Sequence, residues 1–515
     1  MTEQILQIID LTDQGEGLAK TEQGQVVFVP YTVPGDVIKA EIFPLKKNIW
    51  QTKNIKIIEE SANRQSIPCP HFSVRLTETM HEDVSKELPE KSGCGGCQVQ
   101  ALNYANLISA KENILRSQLE RIAQIDLTEI DFRSIISMQN PWHYRNNVQL
   151  KVQYNVITKQ FEFGFFAQKS NEIIVHQKCL ISQTTDSIIC QVINQKLSQA
   201  EPELHSCLIE FWNELIIRTG ENSKIILVAL SFKKLDKSLL KIDYKPVWQE
   251  IFNTINSKLS ELSENYTLRS LWLLDQENSC NDKLLFGEKY FTEIILGKHF
   301  QIYPRSFFQV NTRQTEVMFR TIRKFMINAL RNKNNSPDIS LEKTQNDSCN
   351  QQEDNKFQEN TATLYDLYCG TGTIGIILSD LFKQIKGVDS FPSSIQNAKQ
   401  NAQLNSINNA EYFLDKAEDW LDGQQISEQD FIIVDPPRKG LDKTLINTLN
   451  QSKASNLIYV SCHPGTLSRD LKLLKDEWQI KVIQPIDMFP WTMHIECIVW
   501  IQKKNRIIPV TRYNN

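Results

Sequence analysis

A thiol stands where a strand-like run ends and the chain is broken. In IYVSCHPGTL (residues 458–467) the apolar run leads into Cys462, and Pro464 and Gly465 then interrupt regular structure. Ligands of α/β proteins bind at the carboxyl ends of strands, so this position favours a nucleophile. An inert thiol is the alternative interpretation.

Two other apolar runs end in polar side chains. Asp435 follows four apolar residues in FIIVDPPRKG (residues 431–440), and two prolines stiffen the loop behind it. A strand-like run at 363–368 leads into the glycine loop 370–375, and Asp389 follows where ribose hydroxyls are held in Rossmann-type folds. The glycine loop alone fits a nicotinamide cofactor or S-adenosylmethionine. The rigid Asp-Pro-Pro loop, which can position a planar ring beside a methyl donor, favours S-adenosylmethionine.

A cysteine beside a methyl donor predicts a particular reaction. Carbon 5 of uracil or cytosine is a poor nucleophile until a thiolate adds to carbon 6, and a base must later remove the carbon-5 proton. Glu496, in PWTMHIECIVW (residues 490–500), is the candidate base, whereas the neighbouring Cys497 points to the other face of the strand. Methylation of an exocyclic amine would need neither Cys462 nor Glu496. A non-catalytic RNA-binding protein is a further alternative.

Five motifs occur in the order found in a known family. The chain resembles the RNA uracil-5-methyltransferases, specifically the iron–sulfur-containing enzymes that act on 23S ribosomal RNA. The resemblance implies that Cys462 is the nucleophile, that Glu496 is the base, and that four residues contact S-adenosylmethionine: Gln309, Tyr368, Asp389 and Asp435. The motifs are FFQVN (307–311), DLYCGTGTIG (366–375), DPPRKGL (435–441), YVSCHPGTLSRDL (459–471) and HIE (494–496).

The same resemblance implies a [4Fe-4S] cluster. Its four ligands would be Cys69, Cys94, Cys97 and Cys179, with the first gap enlarged by a polar insert at 71–92. By their chemistry alone, four cysteinates suit either an iron–sulfur cluster or tetrahedral zinc. The spacing is not that of enzymes that perform radical chemistry on S-adenosylmethionine, so we expect a structural metal.

The elements that position these residues predict three domains. Residues 1–62 alternate short β-type runs with glycine turns and predict a small antiparallel OB-like barrel, which could bind oligonucleotides or be purely structural. The family resemblance implies that this barrel is a TRAM domain that binds RNA. Residues 63–300 predict a central α+β domain with the four-cysteine site, including a helix whose apolar face carries Leu107, Leu115 and Ile122. Residues 301–515 alternate strands and helices, which predicts a Rossmann-like α/β methyltransferase domain. The polar segment 333–361 within it predicts a disordered insert.

Composition limits the partners and the compartment. The chain has 57 basic and 61 acidic residues, a net charge of −4, which argues against a polybasic nucleic-acid binder. The local basic run at 301–335 predicts either a solvated face or a phosphate-tracking surface. Without a signal peptide or long apolar run, we expect a cytoplasmic protein that binds no membrane and keeps its 11 cysteines out of disulfides. The expected partner is RNA, either 23S ribosomal RNA or, as the alternative, transfer RNA, with no obligate protein partner.

Overall fold

The computed structural model describes residues 2–46, 48–72, 93–235, 244–333 and 361–504. Most of the polar insert predicted at 71–92, and nearly all of the disordered insert predicted at 333–361, lie outside these ranges. Within them, no helix combines the length and apolarity that crossing a membrane requires.

The amino-terminal strands form a closed barrel in the order β1-β2-β3-β5-β4. Buried and exposed residues alternate along β4, so one side of each strand fills the barrel interior while the other faces solvent. The interior holds small and branched apolar side chains such as Ile8, Ala19 and Val27. The predicted barrel is therefore confirmed. Its strands are β1 (Thr2–Leu11), β2 (Gly17–Lys20), β3 (Val26–Val29), β4 (Val37–Lys46) and β5 (Ile49–Glu59).

A seven-stranded sheet follows, in the order β13-β12-β11-β10-β7-β8-β9. Three helices, two of which pack against each other, cover its apolar face, where Trp212 and Trp248 are buried. The strands are β7 (Asn147–Asn155), β8 (Gln160–Phe166), β9 (Ile173–Val175), β10 (Trp212–Thr219), β11 (Ile225–Phe232), β12 (Thr267–Asp275) and β13 (Lys283–Gly287). The helices are α2 (Thr185–Ser198), α3 (Pro202–Phe211) and α4 (Lys245–Ser260), with a 3₁₀ turn at Ser279–Asn281.

The carboxyl-terminal region is an eight-stranded, mostly parallel sheet in the order β18-β17-β16-β19-β20-β22-β21-β6. Its central strands are mostly apolar, as expected for strands with helices on both faces, and two separate cores result. The strands are β6 (Asp131–Phe132), β16 (Thr363–Leu367), β17 (Gln384–Asp389), β18 (Ala410–Leu414), β19 (Phe431–Val434), β20 (Asn456–Ser461), β21 (Trp478–Ile486) and β22 (Glu496–Lys503). The helices are α5 (Thr312–Lys333), α6 (Thr373–Ile377), α7 (Pro392–Leu404), α8 (Ala417–Asp422), α9 (Lys443–Gln451) and α10 (Pro464–Leu474), with a 3₁₀ turn at Ser379–Leu381.

Two elements from the segment that the sequence assigned to the central domain lie instead with the eight-stranded sheet: one is a helix that packs on its helices, and the other is a strand within it. Helix α1 (Tyr104–Gln118), continued by a π-helical turn (Leu119–Ala123), packs against α10, and β6 pairs with β21. A 3₁₀ turn (Leu127–Glu129) joins them. A separate hairpin of β14 (Phe291–Ile295) and β15 (Lys298–Ile302) leads into α5. The chain therefore contributes β6 to the eight-stranded sheet before the first strand of the seven-stranded sheet begins at Asn147.

The basic run at 301–335 is largely neutralised by carboxylates. Four of its arginines form ion pairs, which agrees with the solvated-face interpretation. The pairs are Arg305 with Asp282, Arg313 with Glu221, Arg320 with Glu316 and Arg323 with Asp380.

Candidate active site

The candidate nucleophile and base lie opposite each other on adjacent strands. Antiparallel β20 and β22 pair Ser461 with Cys497. Cys462 follows Ser461 and Glu496 precedes Cys497, so continuation of this register sets the two backbones opposite each other. Cys497 faces the other way and is fully buried in an apolar core, as its alternation predicts. Asp435 leaves β19, the parallel neighbour of β20, at the same edge.

The charges at this edge act on one another. Burial raises the pKa of the Cys462 thiol to about 11; the Glu496 and Asp435 carboxylates add to this rise and Arg438 opposes it. Burial, together with Asp435, raises the pKa of Glu496 well above its ordinary value, again against Arg438. Burial raises the pKa of Asp435 to about 7. Because neighbouring buried carboxylates resist double ionisation, the pair retains a proton near neutral pH.

Arg438 and His494 belong to the site although the sequence reasoning did not single them out. Arg438 Nη2 lies 3.2 Å from His494 Nε2, and the Arg438 carbonyl accepts a hydrogen bond from Thr466 Oγ1 at 3.1 Å. Burial, with Arg438 adding to it, lowers the pKa of His494 to about 4, so its ring is neutral at physiological pH. A neutral imidazole can accept a hydrogen bond from Arg438 and orient that cation. Arg438 lies in the DPPR motif and His494 in the HIE motif, and these positions could have indicated that both belong to the site.

The glycine loop turns tightly beside Asp389. Gly370 and Gly372 have φ values of +53° and +76°, in the left-handed region that favours glycine. A Cβ on Gly372 would stand 2.7 Å from the Tyr412 hydroxyl oxygen. The Gly370 N–H donates to Asp389 Oδ2 at 3.1 Å, so this carboxylate and the loop are held as a unit.

Asp366, near the end of β16, is a third residue that the sequence reasoning missed. It is buried; its Oδ2 accepts a hydrogen bond from Gly375 N at 3.1 Å, while its Oδ1 has no partner among the described residues. Burial, with Asp435 and Asp389 adding to it, raises the pKa of Asp366 to about 7. A free buried oxygen next to a glycine cradle fits a polar ligand with a positive end, as S-adenosylmethionine has. In the sequence, a carboxylate two residues before the end of the strand-like run 363–368 could have indicated this role.

Gln309 and Tyr368 approach the site from different sides. The Gln309 carbonyl accepts a hydrogen bond from Asn146 Nδ2 at 3.0 Å, which fixes the loop before α5 against the seven-stranded sheet. Tyr368 has a φ of +62° and is half-buried between β16 and the glycine loop. In the described chain, no hydrogen bond joins either side chain to Asp389, which is held instead by backbone N–H groups.

The four predicted ligand cysteines lie close enough to influence one another. Burial raises the pKa of Cys94 to about 12, and Cys179 and Cys69 add to the rise. The thiols of Cys179, Cys94 and Cys69 likewise add to the raised pKa of Cys97. Across the ranges the structure describes, no three His, Cys, Asp or Glu side chains are arranged to hold a single metal ion.

Comparisons with known families match two parts of the chain. Residues 353–504 match the model described as tRNA (Uracil-5-)-methyltransferase, and residues 2–49 match the TRAM domain. The first range contains the glycine loop, Asp435, Cys462 and Glu496, and the second covers most of the barrel.

Full-length relatives and a solved structure share the same layout. An uncharacterized RNA methyltransferase of Halalkalibacterium halodurans is 31% identical over 97% of this chain and 96% of its own length. Another from Listeria monocytogenes is 29% identical over 96% of this chain and 95% of its own. The crystal structure of Pyrococcus abyssi tRNA (uracil-54, C5)-methyltransferase with S-adenosyl-L-homocysteine superposes with a TM-score of 0.63. It is 20% identical, over 97% of this chain and all of that one. The methyltransferase fold predicted from the sequence is confirmed.

Proposed function

The chain belongs to the RNA uracil-5-methyltransferase family, and we propose that it methylates carbon 5 of a uridine in 23S ribosomal RNA through a covalent adduct of Cys462. The methyl donor is S-adenosylmethionine, for which Gln309, Tyr368, Asp389 and Asp435 are the proposed contacts. The observation that carries the proposal is the register of β20 and β22, which sets Cys462 opposite Glu496 beside Asp435.

The first half of the reaction makes carbon 5 nucleophilic. The Cys462 thiolate bonds to carbon 6 of the uracil, and the electron pair of the former double bond becomes available at carbon 5 as an enolate. Carbon 5 bonds to the methyl group of the donor's sulfonium, and the methyl–sulfur bond breaks with its electron pair left on sulfur as a neutral thioether. A base in structured RNA must be unstacked to reach this edge of the sheet, so the reaction requires base flipping.

The second half restores the aromatic ring. The Glu496 carboxylate takes the proton from carbon 5, the C–H electron pair reforms the C5–C6 double bond, and the C6–S bond breaks to release the Cys462 thiolate. Glu496 is suited to this step because its raised pKa makes it a stronger base once ionised. Arg438 opposes that rise and so favours the ionised form.

We further propose that Cys69, Cys94, Cys97 and Cys179 hold a [4Fe-4S] cluster. Their all-sulfur donor set is one that a [4Fe-4S] cluster takes, and the thiols lie near enough to raise one another's pKa values. Such a cluster would fasten together three chain segments that are far apart in sequence. No step of methyl transfer requires it.

Transfer RNA is the second candidate substrate. The similar Pyrococcus abyssi enzyme is a tRNA (uracil-54, C5)-methyltransferase, and it matches this chain over its full length. Purified enzyme offered 23S ribosomal RNA and transfer RNA separately, followed by mass mapping of methylated fragments, decides between them. Methylation of transfer RNA alone would reject the ribosomal assignment.

Trapping with 5-fluorouridine tests the chemistry. Fluorine at carbon 5 cannot be removed by a base, so substrate RNA containing it should form a methylated, denaturation-resistant adduct with the enzyme. Cys462→Ala should abolish the adduct and lower methylation by roughly 10⁴-fold or more, as loss of a covalent nucleophile does. The exposed Cys280 provides the matched control Cys280→Ala, which should behave as wild type.

Two results would contradict this mechanism. Methylation that survives Cys462→Ala would favour an exocyclic amine as the acceptor. Donor binding without methylation of any RNA would favour the non-catalytic alternative.

A further inference from the structure

The loop that carries the chain into Glu496 is held by residues from elsewhere in the sequence. This β21–β22 loop comprises residues 487–495, between the end of β21 and the start of β22. Glu496 is the first residue of β22 and pairs with Ile486 of β21, so the sheet holds it from its own position onward and the chain before it is the loop. What fixes its amino side is the loop, and therefore whatever holds the loop.

Lys111 Nζ holds the loop through the carbonyls of Phe489 and His494, and the segment that follows Cys97 holds it at Trp491 and Met493. The N–H groups of Gln98 and Val99 both donate to the Trp491 carbonyl, at 2.8 and 3.1 Å. The Gln98 side chain reaches further, and its Oε1 accepts the Met493 N–H at 2.7 Å. Gln98 therefore grips the loop at two points, the second of them three residues before Glu496.

The loop conformation needs this grip because it is strained. Trp491 has a φ of +64°, a region that bulky residues avoid unless their surroundings enforce it. Its indole stacks on Trp142 with ring centroids 4.4 Å apart, and its Nε1 donates to the Pro141 carbonyl at 3.0 Å. The Gln98 and Val99 donors complete the restraint on the same residue. Strain of this kind is typical of functional sites held by their neighbours.

We infer that Gln98 is a positioning residue that sets Glu496 for removal of the carbon-5 proton. The inference rests on the proposed covalent mechanism. Gln98 touches neither RNA nor donor in this scheme; it acts through Met493 and the short path to Glu496. Loosening it should slow the second half of the reaction and leave the first half, the formation of the Cys462–C6 bond and methyl transfer, intact.

The expected signature is an adduct that accumulates on ordinary RNA. With Gln98→Ala, the methylated uracil stays bonded to Cys462 because the carbon-5 proton leaves slowly, so denaturing gels should show a methyl-labelled enzyme–RNA band without fluorouridine. Turnover should fall roughly 10- to 100-fold, since a displacement of about 1 Å costs on that order. A merely destabilised enzyme would lose turnover without accumulating this band.

Two variants make the comparison sharp. Gln98→Glu keeps an acceptor oxygen at the same reach and should restore most turnover. Gln65→Ala also removes one hydrogen bond between a glutamine side chain and the backbone, in which Gln65 Nε2 donates to the carbonyl of Gln100, two residues after Gln98, and this bond does not involve the β21–β22 loop. It should accumulate no band.

Several outcomes would overturn the inference. They are wild-type turnover in Gln98→Ala, equal loss of the fluorouridine adduct and of turnover, or a band in Gln65→Ala as strong as in Gln98→Ala. If Gln98→Ala does not fold, Gln98→Asn, whose oxygen is too short to reach Met493, is compared with Gln98→Glu, and equal bands in both overturn it. A wild-type enzyme that forms no fluorouridine adduct would instead reject the proposed function itself.

Discussion

At the scale of single residues, the site combines groups that are individually hard to ionise. The Cys462 thiol, with a pKa raised to about 11, is mostly protonated at neutral pH, and the nearby carboxylates cause part of that rise. Arg438 works against them. Thiolate formation therefore depends on how negative this edge of the sheet is when RNA arrives.

This dependence predicts a pH effect on adduct formation. Single-turnover formation of the fluorouridine adduct should rise about tenfold per pH unit below the thiol pKa, because only the thiolate attacks. Asp435→Asn removes a negative charge that raises the Cys462 pKa, so the rising limb should move to lower pH. Asp442→Asn is the control, since Asp442 is an exposed helix cap that can cap equally well as Asn. An unmoved limb in Asp435→Asn would contradict the electrostatic coupling.

The sequence motifs contain the residues to which we assign the reaction, but they do not show which side chains contact them. Cys462, Asp435 and Glu496 each follow or begin an apolar strand, and strand ends are visible in sequence. Arg438 and His494 were inside the same motifs, yet their mutual contact depends on how two loops fold over the sheet edge. Asp366 escaped attention because it lies within a strand, and only the structure shows an oxygen there without a partner.

At the scale of elements, a buried ion pair joins α1 to the β21–β22 loop. Lys111 Nζ lies 2.5 Å from Asp487 Oδ1 and also donates to the carbonyls of Phe489 and His494. Tyr104 donates to the other oxygen of Asp487 at 2.6 Å. Both charged side chains are fully buried. Burial lowers the pKa of Lys111, and Asp487 opposes that shift.

Removal of one partner should be costly. Lys111→Met leaves Asp487 buried without a counter-charge and should lower the free energy of unfolding by about 3–5 kcal/mol. Adding Asp487→Asn should recover part of the loss, as a double-mutant cycle in urea unfolding would show. The exposed pair Lys258–Glu261 provides the control, and Lys258→Met should cost less than about 1 kcal/mol. Equal losses for the two lysines would contradict the role of burial.

Helix α1 shows how far periodicity reaches. The apolar stripe correctly predicts that Leu107 and Leu115 are buried, but Ile122 at its far end is 40% exposed. The helix changes to a π-helical turn after Gln118, which shifts the face that follows. Lys111 sits on the same stripe, and a lysine in that register indicates a buried partner. That the partner is Asp487, more than 370 residues away, could not be read from local sequence.

At the scale of the whole molecule, residues 93–98, which include Cys94 and Cys97, contact the barrel, the seven-stranded sheet and the carboxyl-terminal sheet region. On the barrel side, the Gly93 N–H donates to Tyr31 Oη at 2.9 Å. The Gly95 N–H donates to the Phe166 carbonyl of the seven-stranded sheet at 2.9 Å. Gln98 then contacts the β21–β22 loop. The sequence analysis did not predict that this segment joins them, because such contacts have no local pattern.

Loss of a ligand cysteine should therefore be felt throughout the protein. Cys97→Ser should lower bound iron well below ~4 atoms per chain and lower the melting temperature, because the segment at the junction is no longer cross-linked. Metal analysis and calorimetry measure both, with Cys280→Ser as the control. Unchanged iron content and melting would contradict the cluster assignment, and zinc in place of iron would contradict the cluster but keep the ligands.

The position of β22 constrains the order in which the enzyme can come into being. Because β22 lies between β20 and β21, the sheet is complete only when residues 496–503 have been inserted between these two earlier strands. During translation a chain that already displays Cys462 still lacks its partner carboxylate and has an open gap in its core. Synthesis itself thus delays chemical competence until this late strand has emerged from the ribosome.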